Sequence, residues 1–261
     1  MLGDLTWPRR RPSMAKIWRT CYRLGMHQTE QVLPWPLPYA LLKFGKEQHI
    51  QEFRNDGLLF MQSLSTFAKL ESDTVRGDCL EGTTHTYQPK DLTLTIDTGR
   101  VGLGKFTAKP SDLNGVRIRL NKTASCNVFC MFAVTKPVDG EFVSSQNLAF
   151  GDSCVIVLDT AEFLSRVIRA AEDQGVSCLE WGLVEYYNAD EYSGETGRFR
   201  KPSMFAYQNE FRIVVEPVSQ VPRELLVGSL LDITSEVLPS SEINQRFDCS
   251  TKSAREAGIC G

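Results

Sequence analysis

Tyr39-Ala40-Leu41-Leu42-Lys43-Phe44-Gly45 leads into Lys46–Asn55, then the pair Asp56-Gly57, then Leu58-Leu59-Phe60-Met61. This stretch decides the fold. Its opening residues are a short apolar strand that Gly45 ends. Lys46 to Asn55 places His49, Ile50 and Phe53 on one side at helical spacing. Asp56-Gly57 is a turn signal, and Leu58 to Met61 is a second apolar strand. Ser63-Leu64-Ser65 begins a further helical turn, with Phe67 and Leu70 as its apolar contacts.

Outward from this unit, strands outnumber helices. Leu92–Ile96 and Val116–Leu120 alternate apolar and polar residues as half-buried strands do. Asn127–Val134 is apolar on both sides, so it reads as a central strand. Cys154–Leu158 is another strand. Asp159-Thr160 then caps a helix over Ala161–Asp173, which Gly175 closes. Val176–Tyr187 reads as one long strand, Asn188–Gly197 as an acidic loop, and Phe205–Val215 as the last strong strand. Regular strand–helix alternation is absent. The expected class is therefore α+β, with a largely antiparallel or split β-sheet and a few flanking helices.

Three regions are expected: a basic flexible segment over 1–38, a single domain over 39–244 and a polar tail over 245–261. In the first region Pro8, Pro12, Pro34, Pro36 and Pro38 interrupt regular structure, although Ala15–Leu24 has the pattern of a short basic helix. The first 26 residues carry six basic side chains against Asp4 alone, a net +5, within a chain of net charge −3. The remainder is therefore at −8. An acidic body argues against a broad nucleic-acid-binding face, while a single basic groove within it stays open.

The eight cysteines form no C-x-x-C pair. Several lie in apolar runs, where a reduced thiol behaves as a small hydrophobe. A disulfide partner and a zinc site are not expected, and a reducing, cytoplasmic compartment fits. No apolar run approaches membrane-spanning length.

Three constellations can carry chemistry. In Leu42-Lys43-Phe44, Lys43 is the one cation of an apolar strand, so it faces either water or a cleft. Arg76-Gly77-Asp78-Cys79-Leu80-Glu81-Gly82 brings Arg76, Asp78 and Glu81 together if it turns helically. Otherwise it is a polar turn whose acids bond local amides. In Tyr207-Gln208-Asn209-Glu210-Phe211-Arg212-Ile213, alternation puts Gln208, Glu210 and Arg212 on one strand face. That face is either a hydrated surface or the wall of a polar cleft. His27, His49 and His85 have no triad or metal-helix context. A metal-dependent hydrolase built on Asp78, Glu81 and Glu210 is the least favoured option, because no histidine ligand motif accompanies them.

The same residues carry two resemblances. Leu42-Lys43-Phe44, the Gly57-Leu58 strand, Phe67, Arg76-x-Asp78-x-x-Glu81-Gly82 and Tyr207-Gln208-x-Glu210-x-Arg212 look like a widespread bacterial family of unknown function, often found among mobile elements. The layout also resembles the ADP-ribosyltransferase fold, in which a late strand carries a Gln-x-Glu motif, here Gln208-Asn209-Glu210. That resemblance implies an NAD-cleaving or ADP-ribosyl-transferring enzyme, as in toxins and phage-defence effectors, acting on a macromolecular acceptor. Glu210 would stabilise an oxocarbenium-like transition state, with Gln208 orienting the acceptor and Lys43 assisting. Lys43, Phe44, Arg76, Asp78, Glu81, Tyr207 and Arg212 would shape the NAD site. Lys43 departs from the His or Arg of that fold, and the middle motif is represented only by Ser125. The alternative is a non-catalytic module that binds a nucleotide or a protein segment in the same cleft.

Overall fold

The computed structural model describes residues 19–23, 37–64, 66, 83–91, 94–97, 105–113, 118–121, 126–136, 142–217 and 222–246. Its strands are β1 (Arg19–Arg23), β2 (Ala40–Gly45), β3 (Leu58–Ser63), β4 (Thr83–Tyr87), β5 (Leu94–Asp97), β6 (Lys105–Ala108), β7 (Ile118–Asn121) and β8 (Asn127–Val134). They continue with β9 (Ser153–Val157), β10 (Cys178–Leu183), β11 (Glu185–Tyr187), β12 (Gly194–Glu195), β13 (Arg200–Pro202), β14 (Glu210–Glu216), β15 (Arg223–Leu226) and β16 (Leu238–Pro239). The helices are α1 (Glu47–Asp56), α2 (Ser145–Leu148), α3 (Thr160–Asp173) and α4 (Ile243–Arg246).

The expected class holds: the protein is α+β, with few helices and mostly antiparallel sheets. A nine-stranded sheet runs β1-β10-β14-β8-β2-β9-β16, and β3 joins it through β8 and carries β15. Smaller sheets are β12-β4-β7, β5-β6 and the parallel pair β11-β13.

One face of the main sheet takes both longer helices. Ile50 and Phe53 of α1, and Phe163, Leu164, Val167, Ile168 and Ala171 of α3, pack on Leu41, Phe129, Met131, Val155, Phe211 and Ile213. Asp159 starts α3 by accepting from the Glu162 amide at 2.9 Å, an N-cap. Gly57 ends α1 at φ 68, where its amide donates to Glu52. The opposite face is divided. Ala40, Leu42, Phe132 and Val134 belong to one small cluster, and Leu64, Val128, Phe199 and Val214 to another.

Three expectations need correction. Arg19–Arg23, inside the segment read as a flexible appendage with a short helix, forms an edge strand against Cys178–Gly182. The free edge of β10 offers backbone partners that an isolated short helix lacks. The long strand over Val176–Tyr187 is broken at Val184: β10 stays in the main sheet and β11 pairs with β13. The strand expected over Phe205–Val215 begins only at Glu210, because Ser203–Gln208 is a 3-10 turn. Phe67, Leu70, Arg76, Asp78, Glu81 and Ser125 lie outside the described residues, as does the turn placed after Ser63 beyond Leu64 and Thr66.

One consequence of the register positions the site. The same edge of β8 is shared by two strands. β2 pairs with it over Phe132–Val134 and β3 over Asn127-Val128. Phe129, Cys130 and Met131 lie between, with no strand opposite them on that side among the described residues. The sheet is split there.

Candidate functional site

A cavity of about 720 Å³ occupies the split. Val128, Phe129, Cys130, Met131 and Phe132 all line it. Successive side chains of a strand point to opposite faces, so a run of five lining residues means that the cavity meets the edge of β8. It therefore has access to both sides of the sheet.

Lys43 crosses this gap. Leu41, two residues earlier, is in the helix-side core, whereas Leu42 and Phe44 belong to the opposite cluster. The Lys43 ammonium lies 4.0 Å from the centre of the Phe129 ring and donates to the Cys130 carbonyl at 2.8 Å. It thus meets a backbone acceptor on the edge that neither β2 nor β3 covers. Such a group is costly to leave without a partner once it is removed from water.

On the other face stands a buried ionic cluster. Glu210 and Arg212 project opposite to Phe211 and Ile213, and they are 4% and 1% exposed. Arg212 Nε donates to Glu210 Oε1 at 2.5 Å. Lys201 Nζ lies 2.8 Å from Glu210 Oε2 and donates to Gln208 Oε1 at 2.9 Å. The Glu210 amide donates to the Tyr186 hydroxyl at 2.9 Å, and Arg212 Nη1 donates to the Arg198 carbonyl at 2.5 Å. Both carboxylate oxygens of Glu210 are therefore engaged.

Charges this close determine the protonation states. Burial works to raise the Glu210 carboxyl, but the Arg212 and Lys201 charges overcome it and hold the group well below its ordinary range. Burial, reinforced by the Glu210 charge, pushes the Cys130 thiol up to about 12. Burial and the same charge push the Tyr186 hydroxyl up as well. At neutral pH the cluster is thus an ionised glutamate between two cations, beside a neutral thiol and a neutral phenol.

Asn209 explains how Gln208 joins this cluster without being part of the strand. Its φ of 37 lies in the left-handed region, which asparagine tolerates better than most residues. Its amide donates to the Ala206 carbonyl, its carbonyl accepts from Ala133 N, and its side chain donates to the Ala133 carbonyl. This kink places Gln208 beside Lys201. The expectation that Gln208, Glu210 and Arg212 share one strand face is therefore correct for the last two and replaced for Gln208 by a turn geometry.

Of the expected site residues, the structure brings Lys43, Phe44, Gln208, Glu210 and Arg212 to one cavity. Tyr207 does not line it. Its carbonyl accepts from Asn147 Nδ2 at 2.7 Å, and its hydroxyl accepts weakly from Gln208 Nε2 at 3.4 Å. Sequence reading missed Lys201, Tyr186 and Cys130. Lys201 lies in a polar stretch with no pattern, and its role depends on the parallel β11–β13 pairing that lays it over β14.

Among the described residues, no group of three or more His, Cys, Asp or Glu side chains is arranged to hold a metal ion. In the same set Cys126, Cys130, Cys154 and Cys178 form no disulfide, and no helix is long and apolar enough to cross a membrane. Comparison with family models, with curated proteins and with solved structures gives no match to this chain.

Proposed function

We propose that the split-sheet cavity binds a small anionic ligand of the nucleotide class, with NAD as the leading candidate. The supporting observation is the composition of the wall. Lys43, Lys46, Lys201 and Arg212 line it against Glu52, Glu210 and Glu224, while Phe44, Phe53, Phe129 and Phe132 supply apolar surface. Ligand pockets commonly run from about 300 to 1,000 Å³, so a cavity of about 720 Å³ is of suitable size. The excess of cations favours a phosphate-bearing molecule. The phenylalanines favour one that also carries planar or apolar parts.

A second reading assigns chemistry to the same site. The Gln208-Asn209-Glu210 motif resembles that of ADP-ribosyltransferases, and Glu210 is an ionised carboxylate on the cavity wall. Bound NAD would supply a glycosidic bond whose cleavage develops positive charge, and a fixed carboxylate stabilises such charge. Gln208 and Lys201 would hold Glu210 in place, and Lys43 would hold the anionic part of the ligand. The occupation of both Glu210 oxygens by Arg212 and Lys201 is why binding leads and catalysis follows.

Calorimetric titration of the purified protein with NAD, AMP and ATP tests the first reading. We expect binding that weakens about tenfold or more in Lys43→Met, the usual scale for losing one charged contact. Absence of binding by all three ligands would discard it. Nicotinamide release, or transfer of label to macromolecular fractions, tests the second. Activity lost in Glu210→Gln while NAD still binds supports the enzyme. Binding without turnover in the wild type leaves the non-catalytic module.

A further inference from the structure

The outer part of the same cavity has a different character from the inner part. Leu59 and Met61 of β3 are fully buried in the helix-side core, so Leu58, Phe60 and Gln62 project the other way, and all three line the cavity. Phe60 is 48% exposed, so its ring is open to a ligand. In the antiparallel pairing of β15 with β3, Glu224 is the residue directly opposite Phe60, and Glu224 also lines the cavity. Directly opposed residues on one face have Cβ atoms about 4.5–5.5 Å apart. A phenyl ring and a carboxylate therefore stand side by side at the mouth, on a ribbon fixed from behind by Leu59, Met61 and Leu225. Glu52, another carboxylate of the wall, is already bonded to Gln48 at 2.9 Å and His49 at 3.2 Å.

We propose that Phe60 and Glu224 form a base-reading subsite at the cavity mouth, with Phe60 stacking on a planar ring and Glu224 accepting a hydrogen bond from that ring's exocyclic amine. The inference rests on the nucleotide reading above and adds orientation and selectivity to it. A carboxylate disfavours a neighbouring phosphate, so the anionic end lies inward toward Lys43 and Lys201 and the base lies outward. Stacking on an aromatic face tolerates any base. A carboxylate only accepts hydrogen bonds, so it favours amino-bearing rings and disfavours those with an oxo group at the same position. Adenine is therefore preferred to hypoxanthine. The Phe60 ring adds affinity without selectivity, and Glu224 adds the selectivity.

The experiment is calorimetric titration with AMP and with IMP, in which the amino donor at C6 is replaced by an oxo acceptor and N1 gains a proton. It uses the wild-type chain and the variants Phe60→Ala, Phe60→Tyr and Glu224→Gln. We expect AMP to bind about tenfold more tightly than IMP, the net scale of one hydrogen bond. Glu224→Gln, whose amide can donate as well as accept, should reduce that preference to about twofold or less. Phe60→Ala should weaken both ligands by a similar factor, and Phe60→Tyr should not. Both positions are exposed, and unchanged melting temperatures establish that the variants fold. Equal AMP and IMP affinities in the wild type, a preference that survives Glu224→Gln, or full affinity in Phe60→Ala would each overturn the subsite while leaving the nucleotide reading intact. Failure of both nucleotides to bind would remove the two together.

Discussion

Glu210 is the residue on which the opposite face of the sheet depends. It is surrounded by Lys201 and Arg212, which are themselves buried, so neutralising it leaves two cations without their counter-charge. Breaking a buried pair in this way costs about 3–5 kcal/mol, and Glu210→Gln should lose stability on that scale at neutral pH in urea denaturation. The pH dependence has a definite sign. A carboxyl held below its ordinary value of 4.5 contributes its full stabilisation above that value and loses it as the pH falls further. The stability gap between the wild type and Glu210→Gln should therefore narrow on acidification below about 4.5. A gap that stays constant down to the acid transition would show that the Lys201 and Arg212 contacts do not control this carboxyl. The sequence showed Glu210 and Arg212 as neighbours on one strand face. It gave no sign of Lys201, because nothing local in Arg200-Lys201-Pro202 distinguishes a buried lysine from a solvated one.

At the scale of elements, two left-handed glycines at helix ends behave differently. Gly57 ends α1 at φ 68, and a Cβ there would lie 2.0 Å from the Gly228 carbonyl oxygen. Gly175 follows α3 at φ 66, and a Cβ there would meet nothing within 4 Å. Gly175→Ala should therefore cost only the left-handed conformation, about 1–2 kcal/mol. Gly57→Ala should cost clearly more, because backbone cannot move aside. Thermal or chemical denaturation of the two variants makes the comparison, and equal losses would contradict the close packing of the α1–β3 turn on the loop after β15. Both glycines were legible as punctuation, since each follows a helical apolar pattern. The difference between them was not, because Gly228 is distant in sequence. The same division applies to strands. The continuous apolar run of β8 and the cap of α3 were readable from local sequence. The break at Val184 and the 3-10 turn before Glu210 were not, because each is imposed by partners, β13 in one case and the backbone of Ala133 in the other.

At the scale of the whole molecule, the acidic body and the cationic inner wall of the cavity make a ligand's charge decisive. A nucleotide that binds only the folded chain raises its stability by about 2.7 kcal/mol at a hundredfold excess over the dissociation constant. We therefore expect ATP to raise the melting temperature at low salt and to do so less as ionic strength rises, while adenosine has a smaller effect that is nearly independent of salt. Equal shifts from both ligands would show that the Lys43–Lys201–Arg212 side of the cavity does not hold the anion. The amino-acid order by itself determined the α+β class, the strand segments that become β2, β3, β8, β9, β10 and β14 and the candidates Lys43 and Glu210, because apolar patterning and turn chemistry act between near neighbours. Only the tertiary structure decided that these two side chains share a cavity. Lys43 lies on the helix side of the sheet and Glu210 on the other, and both line one cavity because β2 and β3 leave a three-residue gap along β8, a matter of long-range register that no local pattern encodes.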